Sequence, residues 1–127
     1  MNRVVIGLGS NINPGQNIPQ ARELLGKKFT VLKESKLKTT KPIGLLDQSD
    51  FVNGAILLET ALEKDQLKQE LRKIETVLGR KRTGPKFGPR PIDLDIVIWN
   101  NEVADKDFYK RDFIRDAVRE VLPELKH

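Results

Sequence analysis

The run Lys86-Phe87-Gly88-Pro89-Arg90-Pro91-Ile92-Asp93-Leu94-Asp95-Ile96-Val97-Ile98-Trp99 carries a strand in its second half. Ile92, Leu94, Ile96 and Ile98 alternate with Asp93, Asp95, Val97 and Trp99, which is the two-residue period of a β-strand. Side chains two apart on a strand share a face, so Asp93 and Asp95 point the same way with Cα atoms roughly 7 Å apart. Val97 and Trp99 continue that face and make it half-buried. Two carboxylates there repel each other and lose hydration unless a divalent cation or a cluster of cations neutralises them. Positive charge stands immediately upstream. No acidic residue separates Glu75 from Asp93, while Arg80, Lys81, Arg82, Lys86 and Arg90 fall in that window. Gly79, Gly84, Pro85, Gly88, Pro89 and Pro91 interrupt regular structure around them, so a cationic loop leads into a diacid strand. Arginine forks that take oxyanions, beside carboxylates that hold Mg²⁺, suit polyphosphate chemistry. The plainer alternative is a basic surface loop followed by two solvated aspartates.

Working outward, residues 64–78 form the clearest helix. Leu67, Leu71, Ile74 and Val77/Leu78 recur at helical spacing, and Gly79 stands where a C-terminal cap glycine belongs. Glu75 lies one residue from that apolar stripe, where an ordinary solvated glutamate is the plainer reading. Residues 51–60 make a strand with Val52, Ala55, Ile56, Leu57 and Leu58 as its body. Asn53 and Gly54 are poor strand formers, and they mark either a ligand contact or a bulge. Residues 3–9 read as a buried strand, and residues 29–38 as one of mixed polarity. Between the last two, Asn17 as N-cap and Pro19 in the first turn open a helix with Ile18, Ala21, Leu24 and Leu25 inward, closed by Gly26. Residues 106–122 form the final helix, with Phe113, Ile114, Ala117, Val118, Val121 and Leu122 on one face and Pro123 as its stop.

Several function classes are excluded. Gly7-Leu8-Gly9 lacks the third glycine of a dinucleotide fingerprint, because Ile12 stands in its place, and no Gly-Lys-Ser/Thr follows to make a P-loop. A glycine-permitted tight exit from the first strand explains the pair better. The single histidine, His127, removes an internal histidine base. The absence of cysteine removes disulfides and thiolate chemistry, in keeping with a reducing, cytoplasmic setting. No segment suits a membrane span or a signal peptide. A net charge of +5 over 127 residues points to an anionic partner. The length fits one domain, 1–127, without a fused partner enzyme. The order strand, helix, strand, strand, helix, strand, helix predicts an α+β ferredoxin-like sandwich, a four-stranded antiparallel sheet with helices packed on one face. That fold hosts RNA-binding modules as well as enzymes, so it does not decide function.

Gly88-Pro89-Arg90-Pro91-Ile92-Asp93-Leu94-Asp95-Ile96-Val97 closely resembles the signature of the 6-hydroxymethyl-7,8-dihydropterin pyrophosphokinases of folate synthesis. The similarity extends from Gly9-Ser10-Asn11 to Pro123-Glu124-Leu125. It implies that ATP donates its terminal pyrophosphoryl unit to the pterin hydroxymethyl group and leaves as AMP. By that resemblance Asp93 and Asp95 hold two Mg²⁺ ions, and Arg80, Arg82 and Arg90 act on the triphosphate. Glu75, Phe87, Ile96 and Arg111 complete the ATP site, with Phe87 standing where the family often has tryptophan. Phe51 and Phe113 match the aromatics that sandwich the pterin, although core packing is the plainer reading of Phe113. Asn53, Thr40, Lys41 and Ile43 match the residues that read its polar edge, with Lys41 where proline is usual.

One departure stands out. Between Val103 and Arg111 the chain is several residues shorter than typical members and lacks their Pro-His segment, whose place Lys110 or Arg111 is expected to take. The expected state is a monomer binding ATP and the pterin, with no nucleic acid or membrane partner. Two alternatives remain: a paralogue that binds pterin or nucleotide without catalysis, and a ferredoxin-like RNA-binding module. The second is disfavoured by few aromatics and no RNP-like run.

Overall fold

The computed structural model describes residues 1–42, 48–80 and 89–125. Among them the elements run β1 (Asn2–Ser10), α1 (Pro14–Lys28), β2 (Thr30–Glu34), β3 (Lys38–Thr40), β4 (Phe51–Thr60), α2 (Lys64–Val77), β5 (Asp93–Trp99), β6 (Glu102–Val103), α3 (Asp107–Lys110) and α4 (Asp112–Val121). The strands form one antiparallel sheet in the order β2-β4-β1-β5-β6, with β3 also paired to β4. The α+β class is as expected, but the architecture is larger than the expected sandwich. Six described strands replace four, and helices cover both faces of the sheet instead of one.

Strand alternation sorts the two cores. Val4, Ile6 and Leu8 of β1, with Ile56, Leu58 and Leu94, pack against Ile18, Ala21 and Leu25 of α1 and Leu67, Leu71 and Ile74 of α2. On the opposite face Val5, Ala55, Leu57, Val97 and Ile98 pack against Phe108, Val118 and Val121 of α3 and α4. Each fully buried leucine or isoleucine contributes about 1.5–3 kcal/mol over leaving it in water.

Four local expectations are corrected. Helix α1 begins at Pro14, with its left-handed N-cap at Asn13, and ends at Lys28. Pro14 takes the first-turn position that Pro19 was expected to fill, so Pro19 lies inside the helix. Asn17 instead donates to the Ile12 carbonyl at 2.6 Å. The strand expected at 29–38 is broken at 35–37. There Ser35 Oγ accepts from the Ala55 amide at 2.8 Å, and a Cβ on Gly54 would stand 2.9 Å from Leu37 Cδ2. Gly54 is therefore the opening that lets the break cross β4. The final helix is two, split by extended backbone at Arg111. In one continuous helix Phe108 would sit roughly 120° from Ile114; the break returns it to the core. Finally, the register of β5 shifts opposite Val5/Ile6. The bulge puts Val97 and Ile98 on the same face and turns Trp99 to the α1–α2 side, away from the aspartates.

Candidate active site

The α3–α4 face of the sheet opens, beyond its core, into a cavity of about 330 Å³. Its floor is β1, where Gly7 and Gly9 are not a strand exit but lie within the strand. A Cβ on Gly7 would approach Val97 Cγ2 to 3.0 Å, and one on Gly9 would approach Asn53 Oδ1 to 3.0 Å and Phe51 Cδ1 to 3.8 Å. The two glycines thus remove side chains where the cavity needs depth. Phe51, Asn53, Val97, Phe113 and Ala117 form its walls, with Thr40 and Lys41 at the β3 side. The Asn53 amide donates to Thr40 Oγ1 at 2.6 Å and, at 3.4 Å, to the Lys38 carbonyl. One end is therefore a slot with a flat apolar body and a fixed amide, suited to a planar heteroaromatic ring.

Charge gathers at the other end, where Asp93 and Asp95 enter from β5. Arg80 Nη1 donates to Asp93 Oδ1 at 2.6 Å, and Arg90 Nη1 to Asp93 Oδ2 at 3.0 Å. Burial alone would raise the Asp93 pKa, but Arg90 and Arg80 outweigh it and hold the carboxyl below its usual value. Asp95 has weaker cationic support, with Arg72 Nη2 at 3.5 Å from Oδ1. Burial, then the Asp93 charge, push it up to about 7. An acid held in that state gains from any cation brought beside it.

The arginines are placed by α2. Gly79, at φ 94°, closes a paired C-terminal turn: Arg80 N donates to Glu75 O and Gly79 N to Thr76 O, both at 3.0 Å. That reversal lays Arg80 back over its own helix, where Nη1 meets Glu75 Oε2 at 2.7 Å. Glu75 is only 1% exposed, so the solvated reading of it is wrong. Its Oε2 accepts the Leu94 amide at 2.8 Å, while Arg72 Nη1 donates to the Leu94 carbonyl at 3.0 Å and to Glu75 Oε1 at 2.7 Å. Among the described residues β6 pairs only with Ile98 and Trp99. The Glu75–Arg72 pair therefore completes the edge of β5 at Leu94 as a neighbouring strand would. Burial of Arg72 opposes its charge, but its bond to Glu75 prevails and raises its pKa.

A second tie joins the loops. Asn11, buried at the end of β1, donates its backbone N–H to the Arg90 carbonyl at 3.1 Å, and its side-chain Oδ1 accepts from Arg90 N at 2.7 Å. Its Nδ2 donates to Gln48 Oε1 at 2.7 Å and to the Ser49 carbonyl at 3.0 Å.

The cavity thus brings together Thr40, Lys41, Phe51, Asn53, Arg80, Arg90, Asp93, Asp95, Arg111 and Phe113 of the residues expected from sequence. Arg111 reaches it because the α3–α4 break points the chain inward, whereas Lys110 does not line it. Glu75 and Ile96 do not line it either. Glu75 stands behind the arginines, and Ile96 packs toward α1 and α2 on the other face. Arg82, Phe87 and Ile43 lie outside the described residues. Sequence reading missed Arg72, Asn11, the glycine floor, and Asp105 and Asp107 at the cavity rim. Arg72 had one legible signal, its three-residue spacing from a glutamate beside an apolar stripe.

Among the described residues no three or more acidic or histidine side chains converge as a ready metal cage. The two aspartates do fit a magnesium ion that keeps water and phosphate oxygens as its remaining ligands.

The 7,8-dihydro-6-hydroxymethylpterin-pyrophosphokinase family model matches residues 5–123. The 2-amino-4-hydroxy-6-hydroxymethyldihydropteridine pyrophosphokinase of Bacillus subtilis is 33% identical over 99% of this chain and 82% of its own length. Its Aquifex aeolicus counterpart is 32% identical over 100% and 84%. The folate synthesis bifunctional protein of Arabidopsis thaliana is 39% identical over 81% of this chain, a match that spans 22% of that longer protein. With the family model covering nearly its whole length, this chain belongs to the 7,8-dihydro-6-hydroxymethylpterin-pyrophosphokinase family.

Proposed function

We propose that the chain transfers the terminal pyrophosphoryl unit of ATP to the hydroxymethyl oxygen of 6-hydroxymethyl-7,8-dihydropterin. The observation that carries this reading is one cavity with a ring-shaped slot at one end and an arginine–aspartate cluster at the other. The relatives' printed names add support. Phe51, Phe113 and the glycine floor take the ring, and Asn53, held by Thr40, reads its polar edge. That pose directs the hydroxymethyl arm toward Asp93 and Asp95.

The pterin oxygen bonds to the β-phosphorus, the bond from that phosphorus to the α–β bridging oxygen breaks, and AMP departs with the electron pair. The hydroxyl proton leaves to solvent. Asp93 and Asp95 would hold two Mg²⁺ ions, which, once bound, screen the triphosphate and polarise the attacking hydroxyl. Arg80 and Arg90, bonded to Asp93, would offer positive charge to the phosphates, and Arg111, which lines the same cavity, would add to it. Arg82 and Phe87 are assigned to closure over the nucleotide on sequence grounds, and Ile43 to the pterin edge.

The order β2-β4-β1-β5, with α1 and α2 on one face, supports a ferredoxin-like core to which the remaining elements are added. A cytoplasmic monomer is the matching cellular reading; among the described residues no helix is long and apolar enough to cross a membrane.

The test is incubation with ATP, the dihydropterin and Mg²⁺, followed by separation of nucleotides. One AMP per pterin diphosphate is expected. ADP, or AMP released without the pterin, would contradict the reading.

A further inference from the structure

Arg72 differs from the other two arginines of the cluster in how loosely it meets its aspartate, since Arg80 and Arg90 reach Asp93 at 2.6 and 3.0 Å. Two of its bonds, to Glu75 and to the Leu94 carbonyl, belong to the frame that joins α2 to β5. Its Nη2 reaches 3.5 Å to Asp95 Oδ1, at the limit of a bond. The guanidinium is therefore fixed by the scaffold beside Asp95 and not recruited by it. Among the described residues Arg72, Arg80 and Arg90 face Glu75, Asp93 and Asp95, three cations against three carboxylates. Farther around the cavity Lys41 and Arg111 balance Asp105 and Asp107.

A divalent ion that enters alone finds, among the described residues, no net negative charge to draw it in, and a fixed cation already beside its ligand. A nucleotide triphosphate changes that balance, because its negative charge offsets both the arginines and the entering ions. We propose that Arg72 is a scaffold-fixed counter-cation of Asp95 that makes divalent-ion binding conditional on the nucleotide. The proposal rests on Asp93 and Asp95 being the metal-holding residues.

The test is Mn²⁺ binding, read from the free-ion resonance signal, without nucleotide and then with a non-hydrolysable ATP analogue. It compares the wild-type protein with Arg72→Gln, Arg72→Lys and Asp95→Asn. Without nucleotide, Arg72→Gln is expected to bind Mn²⁺ about tenfold more tightly than wild type, the equivalent of ~1.4 kcal/mol. Arg72→Lys, which keeps the charge, stays near wild type. With the analogue, Arg72→Gln shows a smaller nucleotide-induced gain. Unchanged or weaker Mn²⁺ binding by Arg72→Gln overturns the proposal. So does an Arg72→Lys variant that behaves like Arg72→Gln, which would mark a structural role. If Asp95→Asn binds Mn²⁺ with the analogue as tightly as wild type, the ligand assignment itself fails, an outcome distinct from failure at Arg72.

Discussion

Replacing Asp95 by asparagine should stabilise the metal-free protein while it destroys activity. In the folded chain Asp95 sits 3.5 Å from Arg72, on a face shared with Asp93, and burial and the Asp93 charge push its pKa up to about 7. Its unfolded value is 3.8. The folded state therefore binds the proton more tightly than the unfolded state between those values, and stability falls as pH rises through that window. Taken whole, the shift amounts to ~4 kcal/mol. The side chain is 43% exposed, so solvent screening reduces this to about 1–2 kcal/mol. Asparagine keeps an oxygen toward Arg72 and cannot ionise. Asp95→Asn should thus raise Tm at pH 8 by about 4–8 °C, and by less than half as much at pH 5, which lies only part of the way up that window. The assay is thermal unfolding in EDTA at both pH values. A variant no more stable than wild type at pH 8 would show that the Arg72 contact is a net stabilising bond. The same gain at both pH values would show that charge is not the cause.

Gly9→Ala, whose Cβ would stand 3.0 Å from Asn53 Oδ1, should raise the pterin KM about tenfold and leave the ATP KM within about twofold. An equal rise in both would place the glycine outside the ring slot. Glu75→Gln removes a charge that is 1% exposed and bonded to two arginines, so denaturant unfolding should report a loss of about 3 kcal/mol. A near-neutral result would mean that the arginines find other partners. Arg111→Ala should raise the ATP KM several-fold without altering pterin affinity in equilibrium titration; a change in pterin affinity alone would reassign it to the ring slot.

The diacid strand, the α2 helix and its glycine cap were legible because each rests on local periodicity and turn chemistry. Asp93 and Asp95 share a face through strand geometry alone, and Gly79 caps α2 as its spacing requires. Long-range pairing was not legible. Beyond its three-residue spacing from Glu75, nothing local distinguishes Arg72 from the other charged residues of an amphipathic helix, since its partner at Leu94 lies 22 positions away. Asn11 carried no local signal, because its bonds reach Gln48 and Arg90. Gly7 and Gly9 suggested a strand exit; only the facing Val97, Asn53 and Phe51 reveal them as a floor. Trp99 changed face because a bulge cannot be read from alternation that is otherwise regular. The second layer of helices escaped notice for a related reason. A β-strand with apolar residues on both faces, such as Val4-Val5-Ile6 or Ile56-Leu57-Leu58, signals burial without naming what covers it.

The most direct test of the account is anomalous diffraction from Mn²⁺ in crystals grown with a pterin substrate analogue and a non-hydrolysable ATP analogue. Two peaks are predicted, both within coordinating distance of Asp93 or Asp95 and of phosphate oxygens. Ordered nucleotide and pterin with no anomalous peak beside either aspartate would contradict it.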